Sequence, residues 1–114
     1  MTANEFRKLA LGHSGAIESA HMGHPDFRVG KRIFASLGYP DDGHGMVKLT
    51  PAQQESFVTE APVVFVPCAG AWGRSGCTSV RLASAKRKLL RTALEAAHRN
   101  VAEKAKKKVS VRKH

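Results

Sequence analysis

The fold of this chain is decided by the stretch VVFVPCAGAWGRSGCTSVRL, residues 63–82. Its first four residues form an apolar run, which is typical of a strand buried on both faces. From Thr78 to Leu82 apolar and polar residues alternate, which predicts a half-buried strand. The loop between them contains three glycines and the only tryptophan of the chain. The stretch therefore predicts a hairpin whose tip carries Trp72 and Arg74 side by side.

Helices are predicted on both sides of this hairpin. Upstream, Thr50 is a good N-cap, Pro51 suits the first helical position and Gln53 closes a capping box. That helix runs to about Glu60 and is expected to bury Phe57 and Val58. Downstream, Ser84 is expected to cap a long last helix with a basic outer face. The inner stripe of this helix consists of Leu89, Leu90, Ala93, Leu94, Ala97 and Val101.

The first half of the chain reads as one short helix followed by a meander of strands. Thr2 and Glu5 form a second capping box, which predicts a helix to about Leu11. A period of two then indicates three or four antiparallel strands, with Gly30-Lys31 as a type II′ turn. The predicted strands cover residues 17–22, 26–29, 32–37 and 46–49, with Ile33, Ala35 and Leu37 on one face and Arg32, Phe34 and Ser36 on the other.

The order of elements is helix, three or four strands, helix, two strands, helix. With short connections this predicts an α+β fold, a two-layer sandwich in which helices cover one face of an antiparallel sheet. The other face is left for solvent or a partner. We expect one domain over residues 1–102 and a basic, disordered tail over residues 103–114.

Charge is distributed very unevenly along the chain. Residues 1–80 carry seven Lys or Arg and seven Asp or Glu, whereas residues 81–114 carry twelve Lys or Arg and two Glu. The last third therefore accounts for the whole net charge of +10. A basic block of this kind favours polyanions, with nucleic acid ahead of acidic membranes or acidic proteins.

The sequence also predicts a cellular compartment. It has no apolar run of membrane-spanning length. Its N-terminus lacks the basic-then-apolar layout of a signal peptide. We therefore expect a cytoplasmic protein with no membrane partner, in which Cys68 and Cys77 flank the tryptophan loop as reduced thiols rather than as a disulfide.

Nucleic-acid binding has two candidate sources. One is the tail, where six cations could neutralise phosphates with a log–log salt slope of roughly −5. The other is the pair of hairpin tips, where a base could stack on Trp72; the alternative is that the indole folds back onto the core, as its large area favours. The full candidate set is Arg28, Lys31, Arg32, Trp72, Arg74, Lys104, Lys106, Lys107, Lys108, Arg112 and Lys113.

Metal binding and catalysis have little support in the residues. His21 and His24 are three apart and would point to opposite faces of a strand unless the chain bends at Gly23. The chain contains no Cys-x-x-Cys pair, nucleophile elbow or phosphate-cradling glycine loop. We therefore expect no metal, no cofactor and no enzymatic activity.

The chain resembles the MmcQ/YjbR family of small proteins widespread in bacteria. The resemblance spans roughly residues 2–102 and rests on ESAHMGHPDFRV at 18–29, KRIFA at 31–35, MVKL at 46–49, GAWG at 70–73 and the terminal helix. It implies a two-layer α+β fold similar to secretion-chaperone-like domains. It also implies DNA binding in which two hairpins act as wings, without enzymatic activity. Cys68, Cys77 and His98, which stands where an aromatic such as Trp is usual, depart from the family pattern.

The charge distribution and the resemblance together predict a non-enzymatic, DNA-binding protein. We expect it to be a monomer rather than an oligomer. The first alternative is an interaction module that holds a peptide or protein on its open sheet face or sheet edge. The second alternative is a small-molecule binder or enzyme of unassigned chemistry.

Overall fold

The computed structural model describes the backbone of residues 1–112 and the side chains of residues 1–104. A single 3-10 turn, Leu82–Ser84, precedes the last helix. The regular elements follow in the order α1 (Ala3–Leu11), β1 (Ala16–His21), β2 (His24–Val29), β3 (Arg32–Leu37), β4 (His44–Lys48), α2 (Pro51–Glu60), β5 (Phe65–Pro67), α3 (Gly70–Arg74), β6 (Cys77–Arg81) and α4 (Arg87–Arg112). The predicted α+β class is confirmed.

Both predicted capping boxes are present. The Glu5 N–H donates to the Thr2 hydroxyl at 3.1 Å, and the Thr2 N–H donates to the Glu5 carboxylate at 3.3 Å. The Gln53 N–H donates to the Thr50 hydroxyl at 3.2 Å, and the Gln53 side chain accepts the Thr50 N–H at 2.9 Å. Each box satisfies N–H groups that the first turn of a helix leaves without partners.

The six strands form one antiparallel sheet in the order β1-β2-β3-β4-β6-β5. Two-residue turns close its first two hairpins. The second turn, Gly30-Lys31, is the predicted one, and Gly30 has the positive φ of 64° that a type II′ turn requires. The first is Met22-Gly23, where both residues have positive φ. Short turns of this type fix the register of the meander.

Helices cover one face of the sheet. Strand register aligns Phe27, Ala35, Val47 and Thr78 in one row, and all four residues are buried. The apolar stripe of α4 packs against this face, and α1 adds Phe6, whose ring centroid lies 6.0 Å from that of Phe27. The buried part of the stripe is as predicted, with Leu89 half-buried beside Leu90, Ala93, Leu94, Ala97 and Val101.

The opposite face of the sheet carries no helix. Register places Asp26, Ser36, Met46 and Ser79 in one row on this side. One departure from strict alternation lies between β2 and β3, where the register shifts at Phe27/Arg28. This bulge turns Phe34 toward α4 together with Ala35, although their alternation predicted opposite faces. Phe34 is therefore fully buried and its ring contacts His98.

The second half of the chain corrects several predicted boundaries. Strand β5 begins at Phe65 rather than Val63, because the Ala61 carbonyl accepts the N–H groups of Val64 and Phe65, both at 3.0 Å, and holds the chain in a turn. Val63 is consequently 63% exposed. The loop after β5 contains the short helix α3, and β6 ends at Arg81 rather than Leu82.

Two further expectations are wrong. Ser84 does not cap α4, because it belongs to the 3-10 turn in which the Ala85 N–H donates to the Leu82 carbonyl at 3.2 Å. Phe57 and Val58 are only half-buried, since α2 packs at the edge of the sheet beside the short strand β5.

Helix α4 extends to Arg112, beyond the expected domain boundary at residue 102. That boundary and the disorder of residues 103–114 stay predictions. Residues 113–114 lie outside the described part of the chain. No helix in residues 1–112 combines the length and the apolar character needed to cross a membrane.

A histidine pair joins the turn after α1 to α4. The rings of His13 and His98 stack with centroids 5.0 Å apart, and both meet the ring of Phe34 edge-on. His98 Nε2 donates to the Ser14 carbonyl at 2.7 Å. His98 thus fills the space between α4 and the turn after α1 with an aromatic ring. Burial lowers the pKa of His13, and the charge of His98 lowers it further.

We predict that replacing Leu94 by Ala lowers the free energy of unfolding by about 2–5 kcal/mol, since a fully buried leucine leaves a cavity. Met22→Ala is the matched control, because Met22 is 86% exposed and its loss changes stability by about 0.5 kcal/mol or less. Urea unfolding measures both. Equal effects from the two substitutions would contradict the described core.

Acidification is predicted to destabilise the fold through His13. Its pKa is lower in the folded chain than in the unfolded one, so the unfolded chain binds more protons and stability falls as pH drops below about 6.5. Arg91 also opposes protonation of His13, whereas Glu95 favours it. Urea midpoints at pH 7.5 and 5.5 are expected to differ less for His13→Gln than for the wild type. An unchanged difference would contradict this account.

Candidate nucleic-acid interface

Antiparallel pairing brings the two predicted hairpin tips to the same end of the sheet. The β2–β3 turn and the connection containing α3 both leave the sheet there, and β4 ends there as well. The last described part of α4 lies over the same end. We call this region the basic end and define it by its exposed cations, Lys31, Arg32, Lys48, Arg74 and Lys104.

An open groove of about 350 Å³ lies at the basic end, between the end of β4, the start of α2 and α4. Arg32, Lys48 and Lys104 line it, and Glu103 is its acidic lining residue. Within residues 1–104, the ion pairs found do not involve any of these three cations. Three unpaired cations around one groove can neutralise neighbouring phosphates of a polyanion.

Asn100 fixes the wall of this groove. Its Nδ2 donates to the Gln53 side-chain oxygen at 2.8 Å and lies 3.2 Å from the Lys48 carbonyl oxygen. These contacts tie α4 to the first turn of α2 and to the end of β4. Since residues three or four apart lie on one side of a helix, Lys104 is held beside Asn100, over the groove.

Helix α3 presents the tryptophan to solvent. Trp72 is 71% exposed, so the alternative in which its indole folds back onto the core is wrong. Gly73, the next residue, lies so close to Cys68 that a Cβ at position 73 would clash with the Cys68 carbonyl oxygen. The inner side of α3 is therefore occupied by the close approach of these two backbones. Trp72 therefore occupies the outer side of the turn.

The connection around α3 is firmly anchored. Gly76 has a φ of 112°, and its backbone lies against Leu49, whose N–H donates to the Gly76 carbonyl at 3.2 Å. Gln54 Nε2 lies 3.0 Å from the carbonyl oxygens of both Gly73 and Cys77, and 3.2 Å from the Thr78 hydroxyl. The glycines of this stretch thus serve close backbone packing, which positions Trp72 and Arg74.

Arg28 is placed apart from the other candidates. Its guanidinium forms a two-pronged ion pair with Asp26, at 2.7 Å from Nε to Oδ1 and 2.9 Å from Nη2 to Oδ2. This hydrogen bonding raises the pKa of Arg28. Asp26 is 2% exposed, so Arg28 neutralises a buried carboxylate on the open face. We leave it out of the basic end.

The remaining predicted residues divide by location. Arg32 and Lys104 line the groove, and Lys31, Trp72 and Arg74 are exposed on the connections beside it. Lys106, Lys107, Lys108 and Arg112 continue along the backbone of α4, with side chains outside the described set, and Lys113 lies wholly outside it. Their role in binding stays a prediction.

Lys48 is a groove residue that the sequence-based candidate set lacks. It ends β4 just before the Thr50 cap, and it carries no motif of its own. The available signal was topological. In an antiparallel meander, a lysine at the end of the second strand after a basic hairpin turn shares an end of the sheet with that turn.

The histidines of the first hairpin do come together, contrary to the simple alternation rule. The Met22-Gly23 turn separates them, so His21 stands directly opposite His24 in the ladder. This is the bend at Gly23 that a paired arrangement requires. Within the described residues, no group of three His, Cys, Asp or Glu side chains is arranged to hold a metal ion.

Cys68 and Cys77 face each other at the end of the β5–β6 ladder, where the Cys68 N–H donates to the Cys77 carbonyl at 3.0 Å. Both are free thiols in this structure. Burial raises the pKa of Cys68 to about 11, with a smaller contribution from Cys77, and burial also raises the pKa of Cys77. Thiols with raised pKa values are protonated at neutral pH and are weak nucleophiles.

Comparison with solved structures supports the same architecture. Deinococcus radiodurans protein DR2400, which has a DUF419 domain, superposes with a TM-score of 0.75. The match covers 91% of this chain and 80% of that protein, at 19% sequence identity. At this identity the similarity establishes the fold alone.

Comparison with curated proteins found no match. A family model described as YjbR matches residues 11–100, which include the sheet, α2, α3 and most of the core stripe of α4. The match covers well over half of the sequence and agrees with the motifs from which the resemblance was first drawn. The chain belongs to the YjbR family.

Proposed function

We propose that this protein is a non-enzymatic DNA-binding protein that holds the phosphate backbone at its basic end. The observation that carries the proposal is the convergence of Arg32, Lys48 and Lys104 on one groove without carboxylate partners among the described residues. Contacts of this kind are made with phosphates and are insensitive to base sequence. Binding is therefore proposed to be non-specific, by a monomer.

Charge beyond the groove supports the same proposal. The last third of the chain supplies the entire net charge of +10, and α4 continues from Lys104 toward four further cations. A DNA backbone that enters the groove at Arg32 would thus leave it along the basic last part of α4. The tail adds affinity in this scheme, while the groove sets where the strand lies.

A binding role is also more consistent with the chemistry of the thiols than a catalytic one. Both cysteines have raised pKa values, which disfavours nucleophilic catalysis. We propose a cytoplasmic location, where both thiols would stay reduced.

Removing the three groove cations tests the proposal. We predict that the triple variant Arg32→Ala, Lys48→Ala, Lys104→Ala weakens DNA binding and reduces the log–log salt slope by roughly 3, at about 0.9 per lost phosphate contact. Fluorescence anisotropy with a labelled duplex, between about 50 and 200 mM salt, measures both effects.

The matched control is Lys86→Ala, Arg87→Ala, Lys88→Ala, which removes three exposed cations at the start of α4, at the other end of the sheet. The two triple variants have the same net charge, so only a localised interface distinguishes them. Equal losses would contradict the groove. Loss of all affinity on deleting residues 105–114 alone would assign binding to the tail.

A second candidate function has one specific observation in its favour. Strand β1 is a six-residue edge strand with a single charged residue, Glu18, and no proline. The other edge, β5, is three residues long and ends in Pro67. Edge strands are usually protected by charge, proline or short length, and β1 has only the single charge of Glu18. An extended peptide of a partner protein could pair with it.

The two functions are separable by a charge on that edge. We predict that Ala20→Lys, on β1, changes DNA affinity by no more than about twofold, because residue 20 lies away from the groove. The same substitution is expected to weaken the binding of any partner that adds a strand to β1. Anisotropy and co-purification measure the two effects. A large gain or loss of DNA affinity would show that β1 belongs to the nucleic-acid interface.

A further inference from the structure

Trp72 is the exposed feature of the basic end that phosphate contacts leave unexplained. A tryptophan side chain has a large apolar area, which favours burial, yet the side chain of Trp72 is 71% exposed. It is also the only tryptophan in the chain. Tryptophan is enriched at binding interfaces, where its ring offers both an apolar body and a polar N–H group.

The backbone that carries the indole is held in place by hydrogen bonds. The Ser75 hydroxyl donates to the Trp72 carbonyl at 2.8 Å, and the Ser75 N–H donates to the Ala71 carbonyl at 3.0 Å. Gly73 is seated against Cys68, as described above. Because this backbone is already ordered, stacking a flat ring on Trp72 costs little backbone conformational entropy.

Trp72 lies close to the groove along the chain. Ser75, which follows α3, lines the groove together with Arg32, Lys48 and Lys104, and Trp72 precedes it by three residues. A strand whose phosphates lie on these cations would pass the indole within a few residues of Ser75. Phosphate neutralisation and a stacking surface are therefore neighbours.

An exposed indole beside a cationic groove favours single-stranded over double-stranded nucleic acid. The base faces of a duplex are already stacked on one another, whereas those of a single strand are free to stack on an aromatic side chain. Stacking accepts every base, because each has an apolar face. The expected ligand is thus unpaired and of any sequence.

We propose that the basic end is a single-strand binding site in which a base stacks on Trp72 while Arg32, Lys48 and Lys104 hold the adjoining phosphates. The inference rests on the proposed function and narrows its ligand to single-stranded nucleic acid.

The experiment titrates the full chain with oligothymidylate of about 12 nucleotides and with a duplex of the same length. Intrinsic tryptophan fluorescence reports on Trp72 alone, since the chain has no other tryptophan. We expect oligothymidylate to quench this fluorescence and to bind more tightly than the duplex. Quenching by oligouridylate would equally support the proposal, because stacking uses the base rather than the sugar.

Substitution then separates stacking from charge. Trp72→Ala is expected to weaken oligothymidylate binding roughly 5- to 150-fold and to change duplex binding little, while Trp72→Phe retains part of the affinity. Tyr39→Ala is the matched control, because Tyr39 is an exposed aromatic at the other end of the sheet, and its loss is expected to have no effect. Circular dichroism checks that each variant is folded.

The failures of the two proposals look different. If single strands and duplex bind equally well, and Trp72→Ala changes neither, the stacking inference is wrong while the groove remains. If the triple groove variant binds both as well as the wild type, the proposed function is wrong. If the wild type binds neither polymer at low salt, both proposals are overturned.

Discussion

The packing of the α4 apolar stripe across one face of the sheet is the contact on which the rest of this structure depends. Five residues of the stripe are buried, and they complete the core that α1 and the central strands begin. Because the stripe fixes the rotation and height of α4, it also decides which residues of α4 reach the end of the sheet. Asn100 then pins the helix to Gln53 and to the end of β4, which brings Lys104 over the groove.

Local signals were sufficient to predict much of the fold. The capping boxes at Thr2 and Thr50, the Gly30-Lys31 turn and the stripe of α4 depend on residues close in sequence, and the structure has all of them. The bulge that buries Phe34 was not predictable from alternation, because it depends on how β3 pairs with β2. The start of α4 was misplaced for a different, local reason, since the 3-10 turn Leu82–Ser84 takes the place of a helix capped by Ser84.

The candidate site was predictable in composition but not in arrangement. Charge counting identified the cations, yet it could not show that Arg28 is engaged by a buried Asp26 or that Lys48 shares a groove with Arg32. The ion pair itself is local, but the burial of Asp26 depends on the strands beside it, and the groove depends on how β3, β4 and α4 come together. The exposure of Trp72 was left open, because general burial preferences favour a buried indole, whereas the close approach of Gly73 to Cys68 depends on the packing of α3.

The central claim is that nucleic acid contacts the basic end of the sheet, and amide chemical-shift mapping by NMR tests it most directly. The account predicts that single-stranded DNA shifts the signals of residues 30–32, 48–50, 70–76 and 100–104, where the turns, α3 and α4 meet around the groove. Residues of the helix-free face, such as Ser36 and Ser79, should remain unshifted. Shifts concentrated on that face or along β1, with the basic end unaffected, would contradict the account.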